Sequence, residues 1–124
     1  AKFAPVLILA CGKTTNAEGS PNKAWMYDTG QSVAHMSIQA MDEGLHVHQM
    51  MGFDEEKAAQ LFKLPADVRA LTVTAVGYIG DPAMLHPRMQ RSETAVRERK
   101  QMQTFVFSDE FGKVRDKIAG QNNN

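Results

Sequence analysis

The chain has 124 residues, which suits one domain. Its 14 Lys plus Arg balance its 14 Asp plus Glu, so the overall field argues against a general binder of nucleic acid or of anionic membranes. A hydrophobic share of 43% and a charged share of 23% exclude global disorder, and no apolar run approaches the roughly 18 residues of a membrane span.

Cys11 is the only cysteine, so the chain has no internal disulfide and no Cys-rich zinc site. That usage fits a reducing compartment, and the expected location is the cytoplasm. Methionine is frequent, at 8 residues, which marks adaptable packing rather than chemistry. Lys2 followed by Phe3 to Cys11 is brief for a leader, with one positive charge and a short apolar run. The first strand-like segment starts almost at residue 1, so the chain reads as one cut inside a domain.

Residues 5–11 are a continuous apolar run closed by Gly12, the pattern of a strand buried on both faces. Residues 12–24, rich in Gly, Thr, Asn, Ser and Pro, form a loop. Asp28 offers a helix N-cap, Val33, Met36, Ala40 and Met41 follow at helical spacing, and Gly44 supplies the stop. Leu45 to Met51 is a short strand. Asp54 caps the next helix, with Glu55 and Glu56 in its first turn. Ala58, Leu61 and Phe62 form its expected buried stripe, and Leu64-Pro65 ends it. Leu71 to Ile79 alternates as a long strand until Gly80-Asp81-Pro82 breaks it. A short helix plus loop is expected over 83–96, a strand over Thr104 to Phe107 and a last helix over Gly112 to Gly120. Residues 121–124 are a polar tail.

This alternation of strands and helices taken alone predicts a doubly wound parallel sheet. Yet no Gly-x-Gly-x-x-Gly follows a strand, and no Gly-Lys-Ser/Thr loop exists, so the usual nucleotide cradles are absent. His46 and His48 stand two apart on one strand and leave the same face. Zinc needs three or four ligands, and His35, His86 and Cys11 have no matching spacing, so no metal site is expected. Cys11, at the end of an apolar strand, reads as an inert core thiol. In Met50-Met51-Gly52-Phe53-Asp54 a strand meets a Gly just before a helix cap, which lets backbone N–H groups approach a flat ligand, although on spacing alone the segment reads as an ordinary strand-to-helix turn. From residue 88 to 100 there are five basic residues against two acidic ones. Arg97 and Arg99, in an extended chain, project to one side and suit a phosphate; taken alone, the cluster reads equally well as a solvated charged loop.

Read as an ordered set, these segments resemble the nitroreductase family. The resemblance rests on Cys11-Gly12, Asp28-Thr29-Gly30, the small-residue helix to Gly44-Leu45, and His48 through Lys57. It continues through Leu64-Pro65, Val76-Gly77-Tyr78, Gly80-Asp81-Pro82, and Arg97-Glu98-Arg99-Lys100 leading into Phe105-Val106-Phe107. It covers the C-terminal part of the family's single domain, with residues 1–124 as that part. The family's early Arg-Arg-Ser-x-Arg and Asn-x-Gln-Pro-Trp motifs are not present.

The resemblance implies an α+β fold with a central, mainly antiparallel sheet flanked by helices, in place of the parallel sheet. It implies a homodimer with FMN at the subunit interface, the helix from Asp28 to Gly44 at the dimer core, and the strand from Thr104 to Phe107 crossing to the partner. The implied activity is hydride transfer from NAD(P)H through FMN to a nitroaromatic or quinone-type acceptor. Met50, Met51 and Gly52 match the segment that runs past the isoalloxazine ring, where a backbone N–H sits near flavin N5. Many relatives have Gly or Ala where Met51 stands. Arg97 and Arg99 match the basic residues that reach the FMN phosphate. The flavin carries the chemistry, so no side chain is given a catalytic role.

Overall fold

The computed structural model describes residues 3–114. They form two compact units, one through Gly80 and one from Asp81 onward. The first unit is α+β. Its elements are β1 (Val6–Lys13), α1 (Trp25–Asp42), β2 (His46–Met50), α2 (Glu55–Phe62) and β3 (Val68–Gly77). The strands form one sheet in the order β1-β3-β2, and both pairings are antiparallel. This is the antiparallel sheet the resemblance implies, and not the parallel one that strand–helix alternation suggests.

Central β3 pairs Ile8 with Thr74 on one side and Gln49 with Thr74 on the other, so these three residues share a face. The Gln49 amide donates to Ser37 Oγ on α1 at 2.8 Å, which identifies that face as the one α1 covers. Thr29 and Val33, one turn apart, are the buried residues of α1. Thr74 is fully enclosed, and its hydroxyl has no hydrogen-bond partner among the described residues.

The first strand departs from expectation. Val6 and Leu7 are about half exposed, at 49% and 53%, so β1 is not buried on both faces. It lies at an edge of the sheet, and α1 packs on one of its faces. The helix α1 starts at Trp25, three residues before the expected cap. Asn22 Oδ1 accepts from the Ala24 N–H at 3.0 Å and turns the loop into the helix. Asp28 instead sits in the first turn, where its carboxylate meets the positive end of the helix dipole. Met41 is exposed, because it lies about 100° round the helix from half-buried Ala40. Gly44 ends the helix as expected: its φ of +74° is the left-handed conformation, and its N–H donates to Met41 O.

Helix α2 is capped as expected, with the Asp54 carboxylate accepting from the Lys57 N–H at 2.9 Å. Its stripe is not the expected one. Leu61 and Phe62 are 74% and 61% exposed, and the half-buried residues are Glu55, Ala58 and Ala59. The small alanines let α2 lie close to β3, and the large residues fall on the side that no described element covers.

Two features fix how α1 lies on the sheet. A register shift between Ala10 and Cys11 places Arg69 opposite Gly12. Simple alternation from Thr72 sends Arg69 to the other face, so the bulge re-aims it. At Gly12 the helix comes so close that a Cβ would lie 2.5 Å from Thr29 Oγ1 and 2.7 Å from the Trp25 ring. Only glycine fits there without moving α1.

The second unit holds a 3-10 turn at Pro82–Met84, helix α3 (Pro87–Thr94) and a 3-10 turn at Met102–Thr104. Asp81 Oδ1 caps the first turn through the Ala83 N–H at 2.8 Å, which bears out the break expected after β3. The strand expected over Thr104 to Phe107 does not form: Thr104 closes the 3-10 turn and the next residues are irregular. A strand needs a ladder partner, and among its described residues the second unit contains no strand. Of the helix expected over Gly112 to Gly120, Gly112 lies in a turn and residues 113–114 are irregular, while residues 115–124, the polar tail included, lie outside the described residues.

Candidate functional site

The turn between β2 and α2 is held at both ends and open in the middle. At its start, Thr72 Oγ1 donates to Met50 O at 2.8 Å, across from the neighbouring strand. In its middle, the Phe53 N–H donates to Met51 O at 3.0 Å. At its end, Asp54 caps α2. The Gly52 N–H makes no hydrogen bond among the described residues, and a Cβ at Gly52 would meet nothing within 4 Å. Met51 is 73% exposed, and Met50 is half-buried opposite Val73. A flat ligand can therefore approach the backbone here unhindered.

The same turn forms one wall of an open cavity of about 290 Å³. Trp25, Met26, Met51, Phe53 and Leu71 supply the apolar half of its lining, and the Glu55–Arg69 ion pair contributes to the polar half. Arg69 grips Glu55 with both arms: Nε donates to Oε1 at 2.8 Å and Nη2 to Oε2 at 3.0 Å. The guanidinium carbon stands 6.0 Å from the Trp25 ring centroid, within cation–π reach. The Arg69 hydrogen bond holds the Glu55 carboxyl below its ordinary value, and Glu55 in turn pushes Arg69 up. The cavity thus presents planar and thioether surface with its charge already neutralised. Such a lining suits an uncharged planar ring better than an anion.

Of Met50, Met51 and Gly52, only Met51 lines this cavity; the other two flank it in the chain. Arg97 and Arg99 lie in the second unit, in the irregular stretch between α3 and the Met102–Thr104 turn. Both are exposed, and their side chains make no ion pair among the described residues. Two free guanidinium groups two residues apart can hold a phosphate dianion.

Sequence reasoning missed Trp25 and Arg69, and it read Glu55 only as an acid in a helix's first turn. The signals were weak but present: a lone tryptophan, and an arginine that is the one charged residue of its strand. Their meeting depends on the β-bulge and on a contact across 14 residues, which no local spacing encodes.

His46 and His48 are exposed on β2. Among the described residues no group of three or more His, Cys, Asp and Glu could hold a metal ion. Cys11 is half-buried rather than fully buried, and its thiol contacts Leu9 O at 3.9 Å. Desolvation pushes its pKa up, so the protonated form is favoured. No helix among the described residues is long and apolar enough to cross a membrane.

Comparison with known proteins gives one sequence relative and several folds. The chain is 33% identical over 112 residues to an uncharacterised 15.4 kDa protein encoded in the ask 5′ region of Mycolicibacterium smegmatis. The match covers 90% of this chain and 75% of the relative. No family model matches. Among solved structures, an oxidoreductase containing FMN superposes with a TM-score of 0.76 at 21% identity, over 87% of this chain and 56% of the other. A nitroreductase family protein of Clostridium difficile 630 gives 0.62 at 22% identity, over 87% of this chain and 61% of the other. One from Clostridium novyi NT gives 0.56 at 21% identity, over 90% and 54%. The chain thus spans little more than half the length of these structures. It belongs to one family with the Mycolicibacterium smegmatis protein, and its fold is that of part of a nitroreductase.

Proposed function

We propose that the chain is the C-terminal part of an FMN-dependent oxidoreductase of the nitroreductase kind. One observation carries this reading: the turn after β2 offers an unbonded, sterically open N–H at Gly52, next to Met51 in the wall of an open cavity, within a fold shared with an oxidoreductase containing FMN. Both parts of the chain fit the group's chemistry. The open turn suits the flat ring, and the unpaired Arg97 and Arg99 suit the phosphate.

When bound, FMN would supply hydride transfer, from NAD(P)H to a nitroaromatic or quinone-type acceptor. The chain's own residues bind and orient. Met50, Met51 and Gly52 present backbone to the ring edge, and Met51 and Phe53 limit water on that side. Arg97 and Arg99 neutralise the phosphate. No side chain here has to donate or remove a proton in the transfer. The cytoplasm, where NAD(P)H is available, is the location this chemistry calls for.

A homodimer belongs to this reading. Met26, Tyr27, Ile38 and Met41 leave α1 with an apolar outer face, 55–68% exposed at each. Gly30 and Ala34 stand among them and allow a second helix to approach closely. A partner copy covers that face in the proposed assembly.

The test is flavin binding in the natural polypeptide. Arg99→Ala is expected to weaken FMN binding about ten- to hundredfold, as the loss of a charged phosphate contact does. An unchanged affinity shows that the cluster is only a solvated loop. A second reading is favoured by the share of the fold present, 56% of the FMN-containing structure. In it the chain is a dimerising module that holds flavin weakly and does not catalyse. Purified alone without added flavin, the 124-residue chain is then nearly colourless, and stoichiometric flavin absorbance removes that reading.

A further inference from the structure

We propose that Arg69 and Glu55 are positioning residues for the Met51–Asp54 turn, setting where its backbone N–H groups stand. The inference rests on the flavin reading above and goes beyond it, because neither residue belongs to the proposed flavin contacts.

Geometry carries it. Arg69 lies on β3, the central strand and the most firmly held element of the sheet. Glu55 is the first residue of α2, directly after the cap Asp54 and three residues after Gly52. The two parallel hydrogen bonds, at 2.8 and 3.0 Å, fix the carboxylate in plane and direction, which one bond does not. The register shift in β1–β3 is what lets Arg69 reach across. Behind it, the Trp25 ring limits the guanidinium's freedom at 6.0 Å, and Trp25 itself is seated by its close approach to Gly12.

The turn is thus pinned at both ends by β3. Thr72 holds the Met50 carbonyl at one end, and Arg69 holds Glu55 at the other. Between them Gly52 has no bonds of its own to set its position. A stabilising role explains the pair poorly. Both side chains are substantially exposed, at 58% and 40%, and ion pairs at such sites add little to folding. A fixed direction for the first turn of α2 is what the bidentate geometry does supply.

The experiment is a double-substitution cycle in the natural polypeptide: parent, Glu55→Gln, Arg69→Gln, and the two combined. FMN affinity and the visible absorbance of bound flavin are measured, with far-UV circular dichroism as the check on folding. Each single change is expected to weaken FMN about fivefold and to shift the flavin band. The combined change is expected to be no worse than either alone, since each removes the same clamp. Unchanged affinity and spectrum in the singles overturn the proposal, and so do effects that simply add. If circular dichroism shows that Arg69→Gln does not fold, Arg69→Lys replaces it: it keeps the charge but loses the fork, and is expected to show the same spectral shift. A lysine variant indistinguishable from the parent counts against the clamp. A parent that takes up no flavin overturns the flavin reading itself, whereas a flavin-binding parent with silent variants overturns only the clamp.

Discussion

Gly12→Ala probes the contact that seats α1 on the sheet. The added methyl would lie 2.5 Å from Thr29 Oγ1, 2.7 Å from Trp25 Cε3 and 3.2 Å from Trp25 O. Ordinary carbon contacts are about 3.5–4.0 Å, so the first two turns of α1 must retreat by roughly 1 Å. The hydroxyl cannot swing aside freely, because Thr29 Oγ1 donates to Trp25 O at 2.6 Å. Overpacking of this kind costs about 1–3 kcal/mol, a large share of a small domain's stability of about 5–15 kcal/mol. Urea unfolding reads the cost as a lower midpoint at unchanged slope. Trp25 is the only tryptophan, so its emission reports the same displacement locally. A midpoint within about 0.5 kcal/mol of the parent, with unshifted emission, refutes the close seating of α1 on Gly12.

Thr74→Val removes a hydroxyl that is buried without a partner and keeps the side chain's shape. Stability is expected to rise by about 1 kcal/mol, and a loss in urea unfolding shows that the hydroxyl has a use. Acid is expected to weaken the fold through Glu55 and Asp67. Arg69 and Lys13 respectively hold these carboxyls below their ordinary 4.5 and 3.8. A lowered folded-state value means the unfolded chain takes up protons first, so the contribution is present above the ordinary values and is lost as pH falls from them through the lowered folded-state values. Both groups are exposed, so the effect is small, and unfolding midpoints measured from pH 7 downward should fall less in Glu55→Gln and Asp67→Asn than in the parent. An equal fall in all of them assigns the acid sensitivity to other groups.

Much of this fold is legible where chemistry is local. Asp54 caps α2, Gly44 stops α1 and Asp81 opens the turn after β3, because each acts within a few residues of itself. Antiparallel pairing is not legible from element order, which fits a parallel sheet equally well; only the resemblance pointed the right way. Burial was the weaker guide. Leu61 and Phe62 have helical spacing with Ala58, yet they face outward because the side they occupy has no described neighbour. The apolar run of β1 reads as a central strand and lies at an edge for the same kind of reason. Thr104 to Phe107 has strand composition but no ladder partner within its unit. At the site, a strand, a glycine and a cap in succession make the turn at Met50–Asp54 legible as a turn, and only the resemblance marks it as a place for a ligand. The Arg69–Glu55–Trp25 cluster could not, since a β-bulge and three separate elements make it.

Flavin content tests the central claim most directly. The natural polypeptide, expressed and purified with FMN present, is passed through gel filtration, and bound flavin is measured by visible absorbance against protein. Stoichiometric FMN is expected, with much less in Arg99→Ala. A protein that emerges colourless at FMN concentrations saturating for ordinary flavoproteins contradicts the account.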